Sequence, residues 1–147
     1  MPEAHLTILN LYTLKGTPSE FCTAIELLVD RVQREGHPGI QSYQFYVNSD
    51  ERSARAVIHY ANAASWIGHH DIAMGWPEMQ GLHAVATLSE VTFLGQMTQE
   101  IEDWIDCSSL TAKLNSGNAY AAGFRRFVAA PTSSGSEVVG NLLASTQ

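Results

Sequence analysis

The chain is short of positive charge, of cysteine and of long apolar runs, and each shortage closes off a class of function. Eight Lys and Arg stand against fifteen Asp and Glu in 147 residues, a formal net charge of −7. Nucleic acids and anionic membranes are bound through clustered cations. Arg125-Arg126 is the one adjacent basic pair, and a lone pair of this kind reads as solvated surface, so neither partner is expected. Cys22 and Cys107 lie far apart, with no C-x-x-C or His-Cys spacing, which suits two inert thiols in a reducing cytoplasm. No charged-then-apolar leader precedes Leu6, and no apolar run approaches the roughly 18 residues that a membrane span needs. Also missing are G-x-S-x-G, G-x-x-x-x-G-K-[ST], a helix-opening G-x-G-x-x-G and H-E-x-x-H. His69-His70-Asp71 looks like a metal cluster, but adjacent helical residues diverge where a metal pair needs i, i+4 spacing, so no metal is expected.

What is present is enough to build one core. With 45% hydrophobic and 16% charged residues, the length fits a single globular domain. From Leu6 to Leu14 the alternation puts Leu6, Ile8, Asn10, Tyr12 and Leu14 on one face and Thr7, Leu9, Leu11 and Thr13 on the other. Both faces are largely apolar, so both should be covered. Thr17-Pro18-Ser19-Glu20 is a helix start: Thr17 as N-cap, Pro18 where its missing N–H costs nothing, Glu20 closing a capping box. Phe21, Ile25, Leu28, Val29 and Val32 recur at helical spacing until Gly36.

Ile40 to Val47 and Ala54 to Tyr60 alternate as two strands about the polar turn Asn48-Ser49-Asp50-Glu51. Asn62 or Ser65 opens a second helical segment carrying Trp66, Ile67, Ile72, Ala73, Trp76 and Met79, broken by Gly68, Gly75 and Pro77. Val85 to Leu94 closes the series as a fourth strand. The reading is therefore an α+β, ferredoxin-like βαββαβ domain over residues 1–98 with a four-stranded antiparallel sheet. Residues 99–147 form a C-terminal helix and an extended, low-order arm. Ile101, Trp104 and Ile105 give that helix an apolar stripe that should dock on something. Asn115-Ser116-Gly117-Asn118 and Pro131 to Ser136 read as connectors, and Phe124/Phe127/Val128 and Val138/Val139/Leu142/Leu143 as apolar clusters that pack on the core, cross to a second subunit or stay mobile.

The βαββαβ order, the strand Leu-Asn-Leu-Tyr-Thr-Leu-Lys-Gly-Thr entering a capped helix, and the Trp66 helix after an Ala-Asn turn resemble the antibiotic biosynthesis monooxygenase family over residues 5 to 97. The resemblance implies a homodimeric α/β barrel with a pocket between each sheet and its helices. It also implies oxygenases that need no metal or flavin, take molecular oxygen as co-substrate and turn phenolic polycyclic compounds into quinones. One branch of the family binds and degrades haem, using an Asn on the first strand, a Trp on the second helix and an iron-ligating His about three turns on. Asn10 and Trp66 match the first two positions; the third falls on Trp76. An indole has no lone pair for iron, so haem would need His69, His70 or His83 instead.

The residues give the oxygenase reading its own physical sense. A cofactor-free enzyme must deprotonate an acidic phenol or anthrone, stabilise the anion and let its electron-rich carbon reduce O₂. Trp66, Trp76, Tyr12, Tyr43, Phe45 and Met79 supply candidate walls. Asn10 and the Trp66 indole N–H are candidate donors to the oxyanion, and His69 or His70 a candidate base. Successive helical residues point about 100° apart, so at most one of the two histidines should face the pocket. Asn10 serves equally as a buried amide satisfied by backbone, and Tyr43, Tyr46 and Tyr60 as sheet-packing residues. A haem-binding protein, a polyketide cyclase or isomerase, and a non-catalytic binder or interaction module remain the alternatives.

Overall fold

Residue periodicity and capping chemistry account for most of the architecture. The computed structural model describes residues 5–126. Strand β1 (Leu6–Leu14) leads into α1 (Pro18–Glu35), then β2 (Ile40–Asn48) and β3 (Ser53–Tyr60), α2 (Ala63–Ala73), α3 (Pro77–Val85), β4 (Ala86–Leu94), α4 (Gln99–Asp106) and β5 (Lys113–Asn118). The capping box is formed: Glu20 N–H donates to Thr17 Oγ1 at 3.0 Å and Thr17 N–H to Glu20 Oε1 at 2.9 Å. Gly36 ends α1 in extended backbone at φ −80°. Crowding, not handedness, requires glycine there, because a Cβ would sit 2.5 Å from the Val32 carbonyl oxygen.

The sheet order is β2-β3-β1-β4-β5. Its first four strands pair antiparallel, in the order a ferredoxin-like domain requires. The expected four-stranded sheet is enlarged by β5, which lies parallel to β4. A parallel neighbour needs a crossover, and α4 provides it. The stretch Asn115–Asn118, read as a connector, is therefore strand. Side chains supply what its low β-propensity does not: Asn115 Nδ2 donates to Thr92 Oγ1 at 3.1 Å and Asn118 Nδ2 to the Phe93 carbonyl at 3.0 Å.

The helix-facing side of the sheet holds the core. Leu6, Ile8, Tyr12 and Leu14 of β1 are buried with Phe21, Ile25, Leu28 and Val32 of α1, as the alternation predicts. The opposite face carries Leu9, Leu11 and Val57, all half-buried, and Leu94, 39% exposed. The helical break falls at Met74–Trp76, while Gly68 stays inside α2. Among the described residues no helix is long and apolar enough to cross a membrane. Beyond β5, Tyr120 and Phe124 are exposed at 61% and 80%; Phe127, Val128 and the 138–143 cluster lie outside the described residues.

Candidate functional site

A cavity of about 360 Å³ opens between the sheet and the helices. Its floor comes from β1, β3 and β4, with Ile8, Asn10, Ile58, Val91 and Phe93 among the contributors. The register of β4 against β1 shifts between Leu11 and Tyr12, so that Leu88 pairs with Tyr12 while Glu90 pairs with Leu11. Bulges re-aim side chains, and this one turns both Leu88 and Val91 into the cavity.

The bulge brings β4 against the polar pair on the floor. Asn10 Nδ2 donates to the Tyr12 hydroxyl at 3.2 Å, and Asn10 Oδ1 is buried with no partner. Burial pushes the Tyr12 phenol up to about 12, with the Asn10 bond opposing it. Tyr12 is therefore no acid at neutral pH. The amide end that this pair leaves unpartnered is an acceptor, where sequence reasoning had looked for a donor.

Helix α2 supplies the wall. Asn62 caps it, with Oδ1 accepting from the Ser65 N–H and the Ser65 hydroxyl, each at 2.9 Å. Trp66, His69 and His70 all line the cavity. The expectation that only one histidine would face it is corrected, because α4 closes the flank of α2 that would otherwise meet solvent. His70 is held by four contacts: its ring lies 4.0 Å from the Trp66 ring, 5.2 Å from the Trp104 ring and 5.0 Å from the His69 ring, and its Nδ1 sits 2.7 Å from the Trp66 carbonyl oxygen. A carbonyl only accepts, so Nδ1 carries the proton and Nε2 keeps the lone pair. Burial lowers His70 to about 4, against the opposing effects of the Trp66 bond and Asp71.

His69 stands between Tyr43, 5.5 Å away, and Tyr60, 6.1 Å away. Its Nδ1 is buried without a partner, and burial, with His70 and His37 adding to it, lowers its pKa to about 3. Both imidazoles are neutral at pH 7. Burial also raises Tyr43 and Tyr60 well above the ordinary phenol value.

Of the expected walls, Tyr12, Tyr43 and Met79 line the cavity. Phe45 does not; it packs behind them, 5.0 Å from Tyr43 and 6.2 Å from Tyr12. Trp76 is also elsewhere. Its ring lies under Arg31 at 4.2 Å, beside the 2.9 Å ion pair of Arg31 with Glu78 that ties α1 to α3. The position that the haem branch would use for its ligand is thus outside the cavity as well as chemically unfit, whereas the substitutes His69, His70 and His83 all line the cavity. Among the described residues no group of three or more His, Cys, Asp or Glu is gathered for a metal.

Sequence reasoning missed Trp104, Lys15 and the Ser108–Thr111 rim, all cavity-lining, and named His83, which also lines the cavity, only as a substitute iron ligand. Trp104 had one signal, the apolar stripe of α4. Its ring meets Trp66 edge-on at 5.4 Å, and its Nε1–H donates to Asp71 at 2.8 Å.

No family model and no curated protein matches the chain. Solved structures do match. SnoaB of Streptomyces nogalater, a cofactor-independent oxygenase, is 16% identical with a TM-score of 0.55 over 65% of this chain and 96% of its own. MupZ of Pseudomonas fluorescens is 13% identical with a TM-score of 0.61, over 86% of this chain and 91% of its own. A Caulobacter crescentus protein provisionally named an antibiotic biosynthesis monooxygenase gives 13%, 0.52, 65% and 92%. The MupZ likeness is long enough to run past residue 98. These likenesses bear out, at the level of fold, the resemblance to the antibiotic biosynthesis monooxygenases.

Proposed function

We propose that the protein is a cofactor-independent monooxygenase acting on a phenolic or polyketide-like aromatic molecule bound in the helix–sheet cavity. The observation that carries this reading is the His70 geometry: a neutral imidazole, fixed by the Trp66 carbonyl with Nε2 left as acceptor, in a cavity walled by aromatic rings. Its support from outside is the fold shared with SnoaB.

The chemistry can be weighed. Moving a proton from a phenol of pKa about 10 to an imidazole near 4 is uphill by six units, roughly 8 kcal/mol. An adjacent phenolate–imidazolium pair at about 4 Å recovers about 4 kcal/mol at an effective dielectric of 20. One charge-assisted bond, for which the Trp66 indole N–H is the donor, recovers roughly 1.5–3 kcal/mol more. The remainder is small beside an ordinary turnover barrier. Asn10 Oδ1 and His69 accept hydrogen bonds from the substrate's other hydroxyl groups. The anion then passes four electrons to O₂: a ring methylene becomes a carbonyl, and the second oxygen atom leaves as water.

The open sheet face with Leu9, Leu11 and Val57 is an apolar surface of the kind that pairs, and it forms the interface of a homodimer, with the 119–126 arm reaching across it. The two free cysteines, Cys22 and Cys107, suit a cytoplasmic setting. The test is oxygen uptake with anthrones and naphthols, for the wild type and for His70→Gln, Asn10→Ala and Trp66→Phe. His70→Gln should lose at least tenfold in kcat. Full uptake by all three folded variants would remove the cavity from the chemistry, and ligand turnover without oxygen uptake would point to a cyclase or isomerase.

A further inference from the structure

The cavity is chemically lopsided in a way that the oxygenation reading does not use. Fifteen Asp and Glu outnumber eight Lys and Arg in the chain, yet among the described residues no carboxylate lines the cavity and Lys15 is its one formally charged side chain. Lys15 is exposed, as are His83 and Thr87, which also line the cavity. These three therefore stand at its mouth, as do the exposed but uncharged Met74, Ser109 and Thr111, away from the buried Tyr12, Tyr60 and Phe93 of the interior.

The placement is built by the backbone. Lys15 N–H donates to the Val85 carbonyl at 2.7 Å and Gly16 N–H to the same oxygen at 3.1 Å. These bonds clamp the end of β1 to the last turn of α3, two residues from His83. Thr87 pairs with Thr13 across the sheet, just before Lys15 in sequence. Burial and the charge of Lys15 hold His83 below its usual value, so at neutral pH it is an uncharged partner, and among the described residues that line the cavity Lys15 carries the one formal charge.

We infer that Lys15, with His83 and Thr87 beside it, is an anion subsite that receives a carboxylate of the substrate while the ring system fills the interior. The inference rests on the cavity being the ligand site, and it narrows the substrate class to an aromatic acid. A cation placed merely to complement the C-terminal end of α3 would change stability and leave ligand selectivity alone.

A matched pair of fluorescent probes tests it: 8-anilinonaphthalene-1-sulfonate, and N-phenyl-1-naphthylamine, which has the same rings and no anion. Wild type should bind the sulfonate more tightly. Lys15→Met should weaken the sulfonate about five- to tenfold and leave the neutral probe unchanged, Lys15→Arg should restore most of the loss, and 2-naphthoate should displace the sulfonate better than 2-naphthol. Raising salt should weaken only the anionic probe. Val91→Trp, which fills the cavity, should abolish both signals. If the neutral probe binds and Lys15→Met leaves the sulfonate untouched or weakens both alike, the subsite is overturned while the cavity stands. If Val91→Trp leaves both signals intact, or neither probe binds, the cavity reading falls and the subsite with it.

Discussion

Helices α1 and α2 lie on the same face of one sheet and are built on opposite principles. In α1 a single stripe, Phe21, Ile25, Leu28 and Val32, is buried; its solvent side is laced by the pairs Arg31–Glu35 and Arg34–Asp30. In α2 the buried stripe, Ser65, Trp66, His69 and Ala73, is half polar, and contacts reach beyond it: His70 and Asp71 meet Trp104, and Gly68 gives room to the His37 ring, while Ile72 stays 40% exposed. A helix buried on one side can leave its polar residues to water. One enclosed on several sides carries them inside, where burial strips their charge and leaves their lone pairs for chemistry.

The contrast can be broken most forcefully from the α1 side. Leu28 is fully buried, and Leu28→Ala should cost about 2–5 kcal/mol in urea unfolding with no change in probe affinity for the folded fraction. If affinity falls as well, α1 is part of the site and the division is false.

Acid should act through α2. Each histidine there is neutral when folded, with His69 near 3 and His70 near 4, whereas unfolded chain takes up protons below about 6.5. Their stability contribution is whole above that pH and drains as pH falls through 6.5 toward the folded values, by roughly 2 kcal/mol per histidine at pH 5. His69→Gln should therefore flatten the pH 7 to 5 stability curve against wild type. An unchanged curve would mean that this imidazole is not buried neutral.

Smaller effects sharpen the picture. Thr17→Ala removes the cap of α1 and should cost about 1 kcal/mol, read as a lower urea midpoint at unchanged slope. Asp71→Ala removes the acceptor of the exposed Trp104 bond; the urea midpoint should hold while acrylamide quenching of tryptophan emission rises. Unaltered quenching would show that α4 is fixed without that bond.

Legibility in the sequence followed the same division. Strand β1 and helix α1 were readable because each repeats a period and carries its own cap, and Asn10, Trp66, Tyr12, Tyr43 and Met79 could be placed from strand parity and helical spacing. Trp76 and Phe45 share that spacing and chemistry, yet one sits under Arg31 and the other behind Tyr43. Strand β5 was invisible because Lys-Leu-Asn-Ser-Gly-Asn has neither alternation nor β-propensity; its pairing is a property of the Thr92 and Phe93 groups it meets.

The amino-acid sequence by itself determined the βαββαβ order, the caps and the apolar faces, since these depend on interactions between residues a few positions apart. Tertiary structure alone decided that both histidines enter one cavity, that Trp104 joins them and that Lys15 stands at the mouth. Those meetings link β1, α2, α3 and α4, segments far apart in the chain, and arise only when burying the apolar faces fixes the elements against one another.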